Sequence, residues 1–250
     1  MARLHRAIRE LQDLDAQARA RSFLTGLHPG AKLIVTVLYL VLTVSFPQKA
    51  LSGLLVMGVY PLFLFLVGDI SFPAAIRRLR FVLPLVLLIG IFNPILDRRP
   101  VLALGSVWVT AGMLSMGSLV LKASLCVLSA YLLAATTPME QLCFSLRRMG
   151  MPRGIVTVIM LIYRYLFLLL RETDTLLTAY ALRAPGQKGV GFRAWGPLAG
   201  NLLLRTMDRA ETLYQSMLLR GFQGEYYPGK TKGMTRTSCL YLVLWCVILL

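Results

Sequence analysis

The chain of 250 residues carries a net charge of +16, yet only 15% of its residues are charged and 57% are hydrophobic. A soluble domain of this length would carry about a quarter charged residues. The apolar residues also form long uninterrupted runs, which a soluble core would not require. The composition therefore excludes an ordinary soluble domain and indicates an integral membrane protein. Nucleic-acid binding is not expected, since no aromatic-basic recognition module accompanies the positive charge.

The first 30 residues predict an amphipathic N-terminal segment, cytosolic or interfacial, because residues 1–22 are charged and lack the apolar core of a signal peptide. Four apolar runs follow: three are about as long as a membrane span or somewhat shorter, and the fourth is longer and could include one long span. They cover residues 31–46, 51–68, 81–96 and 101–137. Residues 31–137 are therefore predicted to form transmembrane helices 1–4.

The placement of the basic residues predicts the topology, because loops rich in lysine and arginine stay in the cytoplasm. The first 32 residues carry six Lys and Arg against three Asp and Glu, and residues 147–236 carry fourteen against five. A short loop over residues 69–80 contains Arg77, Arg78 and Arg80. Four spans put all three regions inside with a cytoplasmic N-terminus, and they leave Arg98 and Arg99 outside.

Residues 138–236 differ from the first half, because their apolar residues follow helical periodicity with charged residues between them. A short helix is predicted over 139–149 and two long ones over 152–183 and 198–220. The last is too polar to span lipid, with its apolar face formed by Leu198, Leu202, Leu203, Thr206, Ala210, Leu213 and Met217. Residues 237–250 predict a final span that is either short or truncated. The predicted fold is all-α: a polytopic membrane protein with about five transmembrane helices and long cytoplasmic amphipathic helices.

The two long helices end in a similar way, with an arginine just before a helix breaker. The first ends in Leu182-Arg183-Ala184 ahead of Pro185, and the second in Leu219-Arg220-Gly221. A single cation at a helix C-terminus is explained by the helix dipole, worth about 0.3–1 kcal/mol. Two such ends in the basic half of a membrane protein predict two contact points for other proteins.

Motifs for catalysis or metal binding are weak in this sequence. Residues 224–231 match the nucleotide-binding pattern GxxxxGK[ST], but no buried strand is predicted ahead of them, so we do not expect a P-loop. His5 and His28 are isolated, and the four cysteines lack the spacing of a metal site or disulfide framework. We therefore predict no catalytic residue, metal ligand or cofactor.

Several segments together resemble the transmembrane T component of energy-coupling factor (ECF) ABC importers, and within it the cobalt-type CbiQ family. Leu27-His28-Pro29-Gly30-Ala31-Lys32-Leu33 resembles the family's entry into its first span. Met149-Gly150-Met151-Pro152-Arg153, with Tyr163-Arg164-Tyr165 and Arg171-Glu172, resembles its central block. Leu219-Arg220-Gly221-Phe222 is similar to the second of the family's two Ala-Arg-Gly motifs. In place of the first motif the chain has Ala184-Pro185-Gly186, with the arginine two positions earlier, which suggests a shifted frame.

The resemblance implies a coupling subunit in the plasma membrane of a prokaryote. Such a subunit joins a membrane substrate-capture subunit (CbiM-like in cobalt importers) to two cytosolic ABC ATPase subunits, which hydrolyse the ATP. The motifs around Arg183 and Arg220 are then expected to dock in grooves on the ATPases. A vitamin importer remains an alternative, as do a membrane scaffold without a transport role and, with less support, a membrane-embedded enzyme.

Overall fold

The structure, a computed structural model, describes residues 16–18, 26–47, 51–68, 70, 72–96, 100–104, 107–184, 189–224 and 235–249. The chain divides into two compact units. We call Ala16–Pro138 with Lys232–Leu250 the core unit, and Met1–Asp15 with Met139–Thr231 the rod unit. Most of the predicted N-terminal segment lies outside the described residues, as do Arg98, Arg99 and Pro185.

In the part of the chain that the structure describes, the core unit contains seven helices with defined bounds and two short strands, and residues 16–18 are helical as well. The helices are α1 (Pro29–Ser45), α2 (Leu51–Met57), α3 (Val59–Gly68), α4 (Phe72–Gly90), α5 (Phe92–Leu96), α6 (Ala111–Thr136) and α10 (Arg236–Leu249). The strands are β1 (Pro100–Leu104) and β2 (Val107–Thr110), paired antiparallel with Leu102 opposite Val109. The all-α class is confirmed, and this hairpin is an addition to it.

Helices α1, α3, α6 and α10 meet in one hydrophobic core, which includes Val35, Leu64, Leu132 and Trp245. The Tyr60 ring lies edge-on to the Trp245 indole, with centroids 4.8 Å apart. This contact packs α10 against α3, and α10 also packs against α1. Edge-to-face aromatic pairs of this kind add to the free energy gained by burying their apolar surface.

Helix α6 approaches α5 closely at its first turn. A Cβ atom on Gly112 would run into the backbone carbonyl oxygen of Asn93. Only glycine fits where two backbones come this close. Helix α6 ends at Thr136, two residues before Pro138, whose ring disfavours a helical conformation at the preceding residue.

Three expectations for the core unit need correction. Residues 72–80 belong to α4 rather than to a loop, and the guanidinium of Arg78 lies over the Tyr131 ring of α6, 4.2 Å from its centroid. The apolar run 51–68 is divided into α2 and α3 at Gly58. The run 101–137 begins with the hairpin, because its first residues are rich in the β-branched and aromatic types that favour strands.

The rod unit contains three described helices: α7 (Met139–Arg148), α8 (Arg153–Arg183) and α9 (Phe192–Leu219). Helix α7 has Glu140 in its first turn and Arg147 and Arg148 in its last, the arrangement that the helix dipole favours. Helix α9 begins six residues earlier than expected, and it includes Pro197 at its sixth position, where the missing N–H removes one i→i−4 hydrogen bond.

Two of the described helices, α6 and α8, are long and apolar enough to cross a membrane, while α1, the stretch 53–68 within α2 and α3, and α10 are shorter apolar segments. Helix α8 lies in the region predicted to be cytoplasmic, and it carries six charged residues along its 31 positions. The number of membrane crossings and their orientation stay predictions.

Candidate functional site

The first candidate contact, Leu182-Arg183-Ala184, lies at the C-terminal end of α8. Arg183 is the last helical residue, and the Ala184 N–H closes the helix by donating to the Tyr180 carbonyl oxygen at 3.1 Å. The Leu182 side chain is 78% exposed, and Arg183 is exposed as well. An exposed leucine beside an exposed arginine at a helix end offers an apolar and a charged group to the surroundings.

The second candidate contact, Leu219-Arg220-Gly221, forms a Schellman motif at the end of α9. Gly221 has φ +79°, and its N–H donates to the Leu218 carbonyl oxygen at 2.9 Å. The Phe222 N–H donates to the Met217 carbonyl oxygen at 3.0 Å. Leu219 is 90% exposed and Arg220 is exposed. Because a left-handed residue stops the helix at this position, Arg220 projects from a fixed helix end.

Helices α8 and α9 run antiparallel, as two contacts along their length establish. The Arg205 Nη1 of α9 lies 2.6 Å from the Glu172 Oε1 of α8. Nearer the start of α8, the Thr157 hydroxyl donates to the Gly224 carbonyl oxygen at 3.4 Å. The end of α9 therefore lies beside the start of α8.

This arrangement places the two arginines at opposite ends of the α8/α9 pair. The stretch of α8 from Thr157 to Arg183 measures roughly 39 Å at about 1.5 Å per residue, and Arg220 lies four residues before the contact with Thr157. The guanidinium groups are thus separated by a distance on the order of 35 Å. The structure does not bring them together in one site, and it leaves two separate candidate contacts on one antiparallel pair.

The α8/α9 pair is loosely packed around the point where the helices meet. A cavity of about 410 Å³ lies between them, lined chiefly by Leu161, Ile162, Tyr165, Leu213 and Met217. All residues of α9 are described, and none of them is buried. Most of the apolar face predicted for α9 lies partly covered along this seam, whereas Leu203 is 59% exposed and lies outside it.

A second polar site, which sequence reasoning did not identify, lies at the start of α1. Lys32 is 3% exposed, and its Nζ donates to the Thr136 carbonyl oxygen at 2.9 Å and to the Thr137 hydroxyl at 3.1 Å. An ionised group in an apolar unit needs such partners, because burial without them is costly. The signal in the sequence was a single lysine at the start of an otherwise uncharged run.

His28, in the same site, stabilises the start of α1 and connects it to α10. Its Nδ1 accepts the Gly30 N–H at 3.1 Å, so that the imidazole caps α1, and Pro29 occupies the first helical position. The His28 N–H donates to the Ser238 hydroxyl at 2.9 Å, which links α1 to the first turn of α10.

Within the described residues, no group of three or more His, Cys, Asp and Glu side chains is placed to hold a metal ion. The nucleotide-binding pattern begins at Gly224 and otherwise lies outside the described residues. The residues that lead into it are the end of α9 and its Schellman turn, not a strand. This approach does not provide the strand that a P-loop requires.

Comparison with known proteins places the chain among cobalt transport proteins. Residues 20–232 match the family model described as "Cobalt transport protein", CbiQ. A cobalt transport protein CbiQ of Rhodobacter capsulatus is 30% identical over 128 residues, 51% of this chain and 52% of that protein. The nickel permease LarQ of Lactiplantibacillus plantarum is 31% identical over 106 residues, 42% of this chain and 39% of the permease.

A third relative carries a second component in the same polypeptide. It is a putative fused cobalt transport protein CbiMQ of Methanocorpusculum labreanum, 32% identical over 124 residues, which are 46% of this chain and 20% of the fusion protein. The matched regions thus span between a fifth and about half of the length of these three relatives.

Proposed function

The chain belongs to the CbiQ family of cobalt transport proteins, as its motifs predicted, and we propose that it is the transmembrane coupling subunit of an ECF-type importer for cobalt or nickel ions. In this role it transmits motion from two cytosolic ATPase subunits, which hydrolyse ATP, to a membrane subunit that captures the ion. The single observation that carries the proposal is the placement of Arg183 and Arg220, both exposed, at opposite ends of one antiparallel pair.

Two arginines at two separate helix ends match two identical binding grooves, one on each ATPase subunit. A guanidinium donates bidentate hydrogen bonds to carboxylates or backbone carbonyls, and a neighbouring leucine supplies apolar contact. Leu182 and Leu219 precede Arg183 and Arg220 directly, so each end offers the same pair of side chains. We assign one ATPase subunit to each end, with Ala184 and Gly221 as the residues that end the helices there.

The proposed partners also determine how the pair lies relative to the membrane. If α8 crossed the bilayer, its two ends, and therefore Arg183 and Arg220, would lie on opposite sides. Cytosolic ATPases require both on one side, so we place the α8/α9 pair along the cytoplasmic membrane surface. The Glu172–Arg205 ion pair supports this placement, because charged groups are costly in the hydrocarbon core.

The proposed substrate and the proposed capture subunit are inferred from the names of the relatives. Proteins named for cobalt and for nickel transport are among them, and the CbiMQ fusion supports a CbiM-like partner. A vitamin as substrate and a scaffold without transport remain the alternatives. Uptake of radiolabelled cobalt and nickel ions by cells that express the complete importer separates these possibilities. We place the chain in a prokaryotic plasma membrane with its N-terminus in the cytoplasm.

The proposal is tested by reversing the charge of each arginine in the tagged full chain, co-expressed with its ATPase and capture subunits. We expect Arg183→Glu and Arg220→Glu each to weaken ATPase association by about 2 kcal/mol or more, roughly thirtyfold in Kd. Arg171→Glu is the matched control, because Arg171 is exposed on α8 but lies away from both ends. Normal co-purification and ion uptake in the double variant would overturn the proposal, whereas recovery of lipid alone with the wild type would favour a scaffold.

A further inference from the structure

The polypeptide passes between the two compact units at three places. These lie between residues 15 and 16, 138 and 139, and 231 and 232. If the rod unit moves during transport, these connections are the covalent routes by which that movement enters the core unit. The residues that hold the core-unit side of each connection therefore decide how much of the movement is transmitted.

The connection at Pro138 is held by Lys32. Its ammonium group binds the carbonyl oxygen of Thr136, the last residue of α6, and the hydroxyl of Thr137. All three residues are buried, at 4% exposure or less. The last carbonyl groups of a helix have no partner within the helix, so a cation at this position satisfies them and resists unwinding.

The connection at Thr231 leads into α10. The first turn of α10 is bound by His28, which lies four residues before Lys32. The His28 N–H donates to the hydroxyl of Ser238, which is fully buried in the first turn of α10. The segment His28–Lys32 thus binds the core-unit side of two connections through residues only four positions apart. The third connection, at residue 16, leads along the chain into the same segment.

We propose that the His28–Lys32 segment is the point at which movement of the rod unit is transmitted into the core unit, with Lys32 as its principal positioning residue. The inference rests on the proposed coupling function. With Lys32 in place, a pull on Pro138 moves α1 together with α6. Without it, the last turn of α6 unwinds ahead of the proline and absorbs the displacement.

Lys122 provides a matched control on the same two helices. Its Nζ donates to the carbonyl oxygens of Val44 and Phe46, at the far end of α1. Lys122 therefore joins α1 to α6 as Lys32 does, by hydrogen bonds from an ammonium group to helix-end carbonyls. It lies about 14 residues along α6 from Thr136, roughly 21 Å away, and it touches neither connection.

The test compares Lys32→Met, Thr137→Val and Lys122→Met in the complete importer, with ATP hydrolysis and uptake of radiolabelled cobalt and nickel ions measured on the same preparations. For Lys32→Met we expect ATPase association and ATP hydrolysis to persist while uptake per assembled complex falls about tenfold. For Thr137→Val, which leaves the bond to the Thr136 carbonyl, we expect a fall of about threefold. Lys122→Met should retain wild-type uptake per assembled complex.

Wild-type uptake in Lys32→Met, or an equal loss of uptake in Lys122→Met, would overturn the inference. If Lys32→Met does not insert into the membrane, Thr137→Val decides, and unchanged uptake in that variant also overturns it. Failure of the coupling function has a different signature: the wild-type chain itself would not retain ATPase subunits or support ATP-dependent uptake.

Discussion

Lys122 in α6 donates a hydrogen bond to the backbone carbonyl oxygen of Val44 at the end of α1, across 3.0 Å. Lys32 in α1 makes the reverse connection to Thr136 at the end of α6. Each helix thus has one lysine that satisfies the terminal carbonyls of the other. Helix α1 has 17 residues and is only about 25 Å long, so it ends beside the middle of α6, where Lys122 lies.

The Lys122 contacts predict a measurable loss of stability when the ammonium group is removed. Lys122→Met keeps the length of the side chain but leaves the Val44 and Phe46 carbonyl oxygens without this donor. Hydrogen bonds to charged groups contribute about 1.5–3 kcal/mol, so we expect a loss of about 2 kcal/mol. Thermal unfolding in mild detergent measures it. Ser124→Ala is the control, because its hydroxyl bonds only within α6; an equal effect in both variants would contradict the prediction.

The left-handed conformation of Gly221 predicts that this residue is required to position Arg220. At φ +79° a Cβ atom costs roughly 1–2 kcal/mol, so Gly221→Ala should loosen the end of α9 and weaken ATPase association. Gly200→Ala in the same helix is the control, because a Cβ there meets no atom within 4 Å and alanine favours helix. Association assayed by co-purification should fall for the first variant only. Equal association in both would show that the Schellman turn does not position the arginine.

The helices of the rod unit could be predicted from the sequence because their signals are local. Apolar periodicity and helix-end residues identified α7, α8 and α9 to within a few residues at most boundaries. The exception is the start of α9, which lies six residues ahead of the predicted Leu198 and includes Pro197. A proline at this position removes one i→i−4 hydrogen bond, and the helix nevertheless begins ahead of it.

The roles of Lys32 and His28 could not be predicted, because their partners lie far away in sequence. Lys32 binds residues more than a hundred positions later, and His28 binds Ser238 at a separation of 210. No local pattern specifies such pairs. Leu203 illustrates a second limit: it fits the helical spacing of the apolar face of α9, yet it is 59% exposed, since periodicity does not say how wide the covered stripe is.

The ion pair between Glu172 and Arg205 predicts only a small contribution to the free energy that holds α8 and α9 together. The Arg205 side chain is 52% exposed and that of Glu172 is 28% exposed. Exposed pairs typically contribute about 0.2–1 kcal/mol and weaken in salt. A double-mutant cycle with Glu172→Gln and Arg205→Gln should therefore give a coupling energy below about 1 kcal/mol that falls at high ionic strength. A large, salt-independent coupling energy would contradict this prediction and would mean that the pair is effectively desolvated.

The thiol of Cys143 in α7 should react slowly with maleimides in the folded protein. Cys143 is fully buried, and burial raises the pKa of its thiol above the ordinary value of 9.0, with the nearby Glu140 carboxylate adding to the rise. The thiolate is the reactive form, so a raised pKa leaves little of it at about pH 7.5. The measurement uses a variant that retains only Cys143, and the control is the same variant after unfolding, because unfolding exposes the thiol.

The raised pKa of Cys143 also determines the direction in which the free energy of unfolding changes with pH. Because the pKa of Cys143 is higher in the folded state than in the unfolded state, its contribution to the free energy of unfolding is fully present below about pH 9 and is lost as the pH rises through the folded-state pKa. Glu140→Gln removes the carboxylate and should lower that pKa, so that labelling of Cys143 in the folded protein at a given pH becomes faster. Labelling of Cys143 as fast in the folded protein as in the unfolded protein would mean that α7 does not bury its thiol in solution.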